Sequence, residues 1–208
     1  MKKSFIVSGV VVAVAAALPF FLGNFTLRSA TDILIFAILA SSWNIIGGDN
    51  GYASFGNIVF FGLGAYAAAI CMNNLGLGFF PALLLSGLVG AAFGYLTGLP
   101  ILRLRGHYFA IATLGLAEAT KALVQNLGIT EGNSGMYLPI PSLGIDASYR
   151  FFYYTSLGVL VILLLATWLL LRSKLGYGLI AIREDEDAAN SVGINTTLFK
   201  STAFSLSG

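Results

Sequence analysis

Charge is what this sequence lacks most. Asp, Glu, Lys and Arg make up 10% of its 208 residues, against 57% hydrophobic. Soluble domains carry about 25% charged residues, and a soluble fold this poor in charge would lack the polar surface to stay dispersed. Lipid removes that requirement, because apolar side chains can face outward. A formal net charge of +2 is too small to argue for a nucleic-acid partner. A single cysteine, Cys71, excludes an intramolecular disulfide and any Cys-based metal cluster. A single histidine, His107, stands two residues after Arg105 at a predicted membrane edge. One edge histidine supports neither a Ser-His-Asp set nor metal-ligand spacing, so no catalytic residue, metal or cofactor is expected. The phosphate loop G-x-x-x-x-G-K-[ST] is absent too. The chain therefore does not hydrolyse ATP itself, and any ATPase must be a separate subunit. No strand-type alternation occurs, and Gly-interrupted helical runs exclude an outer-membrane barrel.

What is present is a series of apolar runs. A spanning helix needs about 20 mostly apolar residues. Six segments meet or approach this: 5–22, 31–46, 57–72, 80–101, 108–127 and 151–171. A seventh starts near Leu198 and runs to Gly208. The expected fold is an all-α, polytopic transmembrane helical bundle of six to seven spans, the last incomplete. Residues 1–208 are read as one transmembrane domain. About ten residues cannot span a bilayer, so the chain is read as a C-terminally truncated form, with a short re-entrant end as the alternative. The first run is read as a retained helix, with a cleaved signal peptide as the alternative.

Charge position sets orientation. With the N-terminus inside, Lys2, Lys3, Arg103, Arg105, Arg172, Lys174, Arg183 and Lys200 all fall inside. Only Arg28 and Arg150 fall in outside loops, and Lys121 lies within the fifth run. The N-terminus is therefore expected in the cytoplasm. The inside loop 172–197 is the longest, and the outside loop 128–150 is the next.

Within that inside loop, residues 173–195 hold the most informative pattern. Gly176 and Gly178 are expected to break away from the sixth span. Residues 179–192 then read as one short helix, with Leu179, Ile180, Ile182, Ala188, Ala189 and Val192 as its apolar surface. Gly193 and Asn195 are natural terminators. The core is Ala181-Ile-Arg-Glu-Asp-Glu-Asp-Ala-Ala-Asn-Ser-Val-Gly193. It resembles the E-A-A-x-x-x-G element that ABC importer permeases present to their ATPase, with Asp187 in place of Glu.

Four stretches extend the likeness. They are Gly51-Tyr-Ala-Ser-Phe-Gly-Asn57 with Phe60-Phe-Gly-Leu-Gly-Ala-Tyr66, Leu102-Arg-Leu-Arg-Gly-His-Tyr-Phe-Ala-Ile-Ala-Thr-Leu-Gly115 running on to Glu118, Ile129-Thr-Glu-Gly-Asn-Ser-Gly135 with Ile140-Pro141, and the inside loop itself. The chain resembles the inner-membrane permeases of branched-chain amino acid (Leu/Ile/Val) ABC importers. The likeness covers most of the chain beyond the first run, and Asn57 and Tyr177-Gly178 depart slightly from the usual pattern.

The resemblance implies a location in the bacterial inner membrane and a set of partners. These are ABC ATPase subunits, a paralogous permease subunit and an extracytoplasmic substrate-binding protein. It implies that Arg183, Glu184, Asp185, Glu186, Asp187, Ala188, Ala189 and Gly193 couple to the ATPase. Gly51, Tyr52, Ser54, Asn57 and Glu118 are the candidate lining of a translocation path. The polar, Gly-rich stretch 47–56 suits this, since irregular backbone at membrane depth lasts only where it is buried or lines a cavity. An ordinary inside turn is the alternative. Glu118 and Lys121 stand three apart on the fifth run. An intramembrane charge points to function by default, though mutual neutralisation also accounts for the pair. Gly62, Gly64, Ala65 and Ala68 are expected to serve close helix packing. The expected solute is a branched-chain or related small amino acid. A urea or short-amide permease of the same family and an ion-coupled secondary transporter remain as alternatives.

Overall fold

Long apolar runs can satisfy their backbone within lipid only as helices. The computed structural model describes residues 2–139 and 144–208, apart from the side chains of 2–8, 10 and 133. The Ile140-Pro141 pair lies outside the described residues, as do the side chains of Lys2 and Lys3. The helices are α1 (Lys2–Ala17), α2 (Asn24–Asn44), α3 (Ile58–Asn73), α4 (Phe79–Ile101), α5 (His107–Asn126), α6 (Ile145–Leu171), α7 (Lys174–Glu184), α8 (Glu186–Ser191) and α9 (Thr196–Ser207). No strand occurs among the described residues. The chain is an all-α, multi-pass membrane protein.

Three helical stretches are long and apolar enough to cross a bilayer: Asn24–Asp49, Phe79–Ile101 and Ile145–Leu171. The first joins α2 to a π-helical turn at Ile45–Asp49. Helix α5 has the length, at 20 residues, but falls short in apolarity. Glu118, Lys121, Gln125 and Asn126 all sit in its second half, which lowers the apolarity of the run 108–127. Helix α3 has 16 residues and α9 has 12. At 1.5 Å per residue they extend about 24 and 18 Å, short of a core about 30 Å thick.

The chain divides into two compact units, Met1–Ser41 with Ile140–Leu169 and Ser42–Pro139 with Leu170–Gly208. In the first, Leu27, Tyr153 and Leu157 form the core with Ala15, Ala16 and Leu34. The Tyr153 hydroxyl donates to the Ala15 carbonyl at 2.8 Å, and Asn24 Nδ2 donates to Asp146 Oδ1 at 2.5 Å. The second bond sets the starts of α2 and α6 side by side.

The second unit is built on a stripe of small residues. Ala82, Ser86, Gly90, Gly94 and Gly98 recur every fourth position on α4 and are all buried. A Cβ on Gly94 would stand 3.1 Å from Ser205 Cα, and one on Gly98 would stand 3.2 Å from the Phe204 ring. The α9 backbone therefore lies directly on the stripe, as small-xxx-small spacing permits. Gly62, Gly64, Ala65 and Ala68, expected to serve close helix packing, do not seat α9. A Cβ on Gly62 or Gly64 would meet nothing within 4 Å, and Ala65 is exposed. An aromatic cluster completes the core, with Phe204 edge-on to Phe60 at 5.1 Å and to Phe109 at 6.3 Å between centroids.

Candidate functional site

The inside loop 173–195 folds as two helices, not one. Helices α7 and α8 meet at Asp185, whose backbone is extended (φ −157°, ψ 109°). Its side chain causes the break. Asp185 Oδ1 accepts from the N–H groups of Asp187 and Ala188, both at 2.9 Å, and so caps α8. Glu186 and Asp187 add negative charge at the same helix start, where the dipole favours it.

Gly176 and Gly178 do not break the chain either. Both are buried inside α7. A Cβ on Gly178 would run into the Phe199 ring, and one on Gly176 into the Leu170 carbonyl. Close approach demands glycine there. Gly193 does terminate α8, with φ +90°. Its N–H donates to the Asn190 carbonyl at 3.0 Å, and the Ile194 N–H donates to the Ala189 carbonyl at 3.1 Å, a Schellman closure. Asn195 starts the next helix, its Oδ1 accepting from the Leu198 N–H at 3.1 Å.

Glu186 is the hub of the site. It accepts from Lys200 Nζ at 2.6 Å and from the Tyr52 hydroxyl. Lys200 also donates to the Tyr52 oxygen at 3.1 Å, and its ammonium lies 4.6 Å from the Tyr52 ring centroid. Lys200 is 1% exposed. An ammonium this deep needs a partner charge, and Glu186 supplies it. Arg105 closes the cluster from the α4–α5 loop. Its Nε stands 3.6 Å from Glu186, and its terminal nitrogens donate to both Asp187 oxygens at 2.8 and 3.1 Å.

The electrostatics follow from these contacts. Burial pushes the Glu186 carboxyl up. Hydrogen bonds from Lys200 and Tyr52, and the charges of Lys200 and Arg105, outweigh burial and hold it below its ordinary value. Burial, and then the Glu186 hydrogen bond and charge, push the Tyr52 phenol well up. The paired hydrogen bonds from Arg105 lower the Asp187 carboxyl. The cluster thus keeps both carboxyls ionised and the phenol neutral at neutral pH.

Tyr52 and Glu186 came from separate expectations, one for the path and one for the coupling loop. The structure joins them. Of the other coupling residues, Ala189 is buried, while Arg183, Glu184, Ala188 and Gly193 are exposed. Arg183 Nη1 reaches the Gly48 carbonyl at 3.4 Å. Gly51 has φ +75°, and a Cβ there would stand 2.8 Å from Arg183 Cγ, so the loop closes on Arg183 only with glycine.

The Gly-rich stretch is not a plain turn. After the π-helical turn it runs as irregular backbone up the side of α5. The Tyr52 ring meets Phe109 edge-on at 5.2 Å, and the Phe55 N–H donates to Thr113 Oγ1 at 3.1 Å. A Cβ on Gly56 would stand 2.6 Å from the Thr113 carbonyl. The α3 start thus lies beside the middle of α5. Ser54 is buried, and its carbonyl accepts from Trp43 Nε1 at 2.7 Å. Asn57 Nδ2 donates to Ser207 Oγ at 2.9 Å. Those two residues hold the loop in place. Asn50 is fully buried, and neither side-chain amide atom has a hydrogen-bond partner among the described residues. It lines a cavity of about 560 Å³ together with Tyr52, His107, Arg183 and Glu186. Glu118 sits apart from this cluster, exposed on α5, with Lys121 Nζ 4.0 Å away.

Sequence reasoning missed Arg105 and Lys200 as site residues. Both had been counted only as inside charges. One signal was available for Lys200: it stands among Leu198, Phe199, Ala203 and Phe204, where a lysine calls for an acidic partner.

The family model for the branched-chain amino acid transport system / permease component matches residues 25–208. Two curated relatives are similar over 99% of this chain, each 36% identical across 233 aligned positions. They are the high-affinity branched-chain amino acid transport system permease proteins LivM of Salmonella typhimurium (strain LT2) and of Escherichia coli (strain K12). The match covers 54% of each relative, so the chain spans about half their length. No solved structure matches. With three of the four quoted stretches inside the described residues and a family match over most of its length, the chain belongs to the branched-chain amino acid transport system permease family.

Proposed function

We propose that this chain is a permease subunit of an ATP-driven ABC importer that carries branched-chain or related small amino acids across the bacterial inner membrane. The N-terminus lies in the cytoplasm, and residues 1–208 serve as one permease domain with 173–195 as its coupling loop. ATPase subunits dock on α7 and α8, a paralogous permease stands alongside, and an extracytoplasmic binding protein delivers the solute. ATP binding and hydrolysis in the docked subunits then switch the path between outward and inward access.

One observation carries this reading. Glu186 on the loop read as the dock holds Tyr52 on the loop read as the path. The buried Lys200 and Arg105 brace the same carboxylate. A push on α8 therefore reaches the irregular backbone of 51–57 through fixed polar contacts, without crossing flexible chain. The dock also has a free face. Tyr177 is 66% and Val192 78% exposed, while Leu179, Ile182 and Ala189 are buried against the unit. Within the second unit, the loops of Tyr52, Arg105 and Glu186 gather at one end, while Asn73 at the far end of α3 donates to the Tyr137 carbonyl; the cytoplasmic N-terminus rests on the charge bias alone.

The test is uptake. The chain is completed to the length of its relatives and reconstituted in vesicles with candidate ATPase and binding-protein partners, and labelled leucine is followed with and without ATP. Uptake that continues with no ATPase present would sink the reading.

A further inference from the structure

Helix α2 runs into the π-helical turn Ile45–Asp49 before the irregular loop begins. The hydrogen bonds of a π turn reach one residue further than those of an α-helix, and such turns recur at functional sites. Rewinding one as an α turn advances the chain that follows by one position, about 1.5 Å along the axis and about 100° around it.

The residues at the end of this turn are poorly paired. Asp49 Oδ2 and both amide atoms of Asn50 are buried with no hydrogen-bond partner among the described residues, and Asn50 is 0% exposed. Buried polar atoms in native proteins are nearly always paired. Three orphans on two adjacent residues therefore make this winding costly. Asn50 also borders the cavity of about 560 Å³, which leaves it room to turn.

The turn is tied to the Glu186 cluster. The Tyr52 N–H donates to the Ile46 carbonyl at 3.0 Å, while the Tyr52 hydroxyl donates to Glu186. Arg183 on α7 reaches the Gly48 carbonyl at 3.4 Å. Beyond Tyr52 the loop is pinned, through the Ser54 carbonyl to Trp43 and through the Phe55 N–H to Thr113. A movement of α7 and α8 is thus delivered to a short segment between fixed ends, where the winding is least well paired.

We propose that residues 45–52 are a two-state hinge. In the state seen here the turn is π-wound and Asn50 is buried without a partner. In the other state the turn is α-wound and Asn50 has rotated into the cavity, where water pairs its amide. Asn50 is a positioning residue, acting through the backbone. The use of the hinge in transport rests on the permease reading, whereas its existence does not.

The test is Asn50→Leu. Leucine keeps the branched shape and removes both polar atoms, so it favours the buried, π-wound state. Hydrogen-exchange mass spectrometry is run on the 208-residue chain in lipid nanodiscs. In the wild type, peptides covering 45–53 should exchange at least tenfold faster than those of α4. Asn50→Leu should slow them at least tenfold. Exchange in the folded variant equal to or faster than in the wild type would overturn the proposal, and is the result expected if a fixed water already pairs the amide in place. A second measurement needs no change at Asn50. Spin labels at the exposed positions Ala53 and Leu96, introduced as Ala53→Cys and Leu96→Cys with Cys71→Ser, should give two distance populations. A single narrow population would also overturn the hinge. In the completed and reconstituted importer, Asn50→Leu should keep ATPase association but lower ATP-driven leucine uptake at least tenfold. Unchanged uptake in a variant whose exchange has slowed would overturn the role of the hinge. Leucine uptake that needs no ATPase is the separate signature of a failed permease reading, and the exchange comparison still decides the hinge.

Discussion

Replacing Lys200 with Met keeps most of the buried aliphatic stem and deletes the ammonium. Two charge-assisted hydrogen bonds vanish, one to Glu186 at 2.6 Å and one to Tyr52 at 3.1 Å. Removing one partner of a buried pair costs about 3–5 kcal/mol. Here the loss should fall below that range. The Glu186 side chain keeps 15% exposure, Arg105 Nε remains 3.6 Å away, and Tyr52 still donates. A loss of about 2–3 kcal/mol is the resulting figure, in line with bonds to charged groups worth about 1.5–3 kcal/mol each. The loss falls on the seating of α8, so it reads out as local opening. At 1.4 kcal/mol per factor of ten, amide exchange in α8 should accelerate by about 30- to 140-fold. Hydrogen-exchange mass spectrometry on peptides covering 186–193, in detergent or nanodiscs, measures this directly. Exchange in α6 should not change, since it lies mainly in the other unit. Glu186→Gln with Lys200→Met completes a double-mutant cycle, with an expected interaction of about 2 kcal/mol. Protection in α8 within threefold of wild type would refute the claim that Lys200 holds α8 in place.

The same carboxylate sets a pH response. Glu186 is held below its ordinary 4.5 in the folded state, so its contribution is fully present above pH 4.5 and is lost as pH falls through the lower folded value. Exchange in α8, corrected for intrinsic rates, should therefore be steady from neutral pH to about 5 and rise only in stronger acid; in Glu186→Gln that rise should shrink to the part that the Arg105–Asp187 pair contributes. Packing gives a graded series for thermal unfolding. Gly176→Ala meets backbone at the Leu170 carbonyl and should destabilise most, Gly178→Ala meets a ring that can turn and should follow, and Gly64→Ala meets nothing. The first should lose about 1–3 kcal/mol, typical of overpacking, and the last less than about 0.5. Docking is tested at an exposed position. Val192→Glu should insert and fold but lose ATPase association in a pull-down, and retained association would remove α8 as the dock.

The helices were legible because their cause is local. An apolar run in lipid has one way to satisfy its backbone, so 80–101 was read within one residue of Phe79–Ile101. The break inside the coupling loop was local as well. It was missed because the apolar pattern of 179–192 was weighed above the capping chemistry of Asp185, which accepts from two α8 amides. The α4 packing glycines were passed over for a different reason. Small-xxx-small spacing occurs on both α3 and α4, and only the three-dimensional arrangement tells which stripe meets a neighbour. Gly90, Gly94 and Gly98 meet α9, whereas Gly62 borders a cleft that Glu118 and Lys121 also line.

The Glu186 cluster lay further from view because its partners are far apart in the chain. Tyr52 and Glu186 are 134 positions apart, and Arg105 and Asp187 are 82 apart. Each was readable alone, Tyr52 by its Gly-rich setting and Glu186 by its motif, but nothing in a sequence pairs them. Burial changed the rank of Lys200. As one inside charge among eight it helped to set orientation; at 1% exposure it becomes the residue that obliges α8 to present a carboxylate. The acidic run 184–187 therefore does more than solvate a loop. Asp185 starts the helix, Glu186 fixes it to the interior, and Asp187 engages Arg105 at the rim. The outer side of α8, with Val192, stays exposed. The short run thus fixes one side of α8 and leaves the other open, which is what the proposed dock requires.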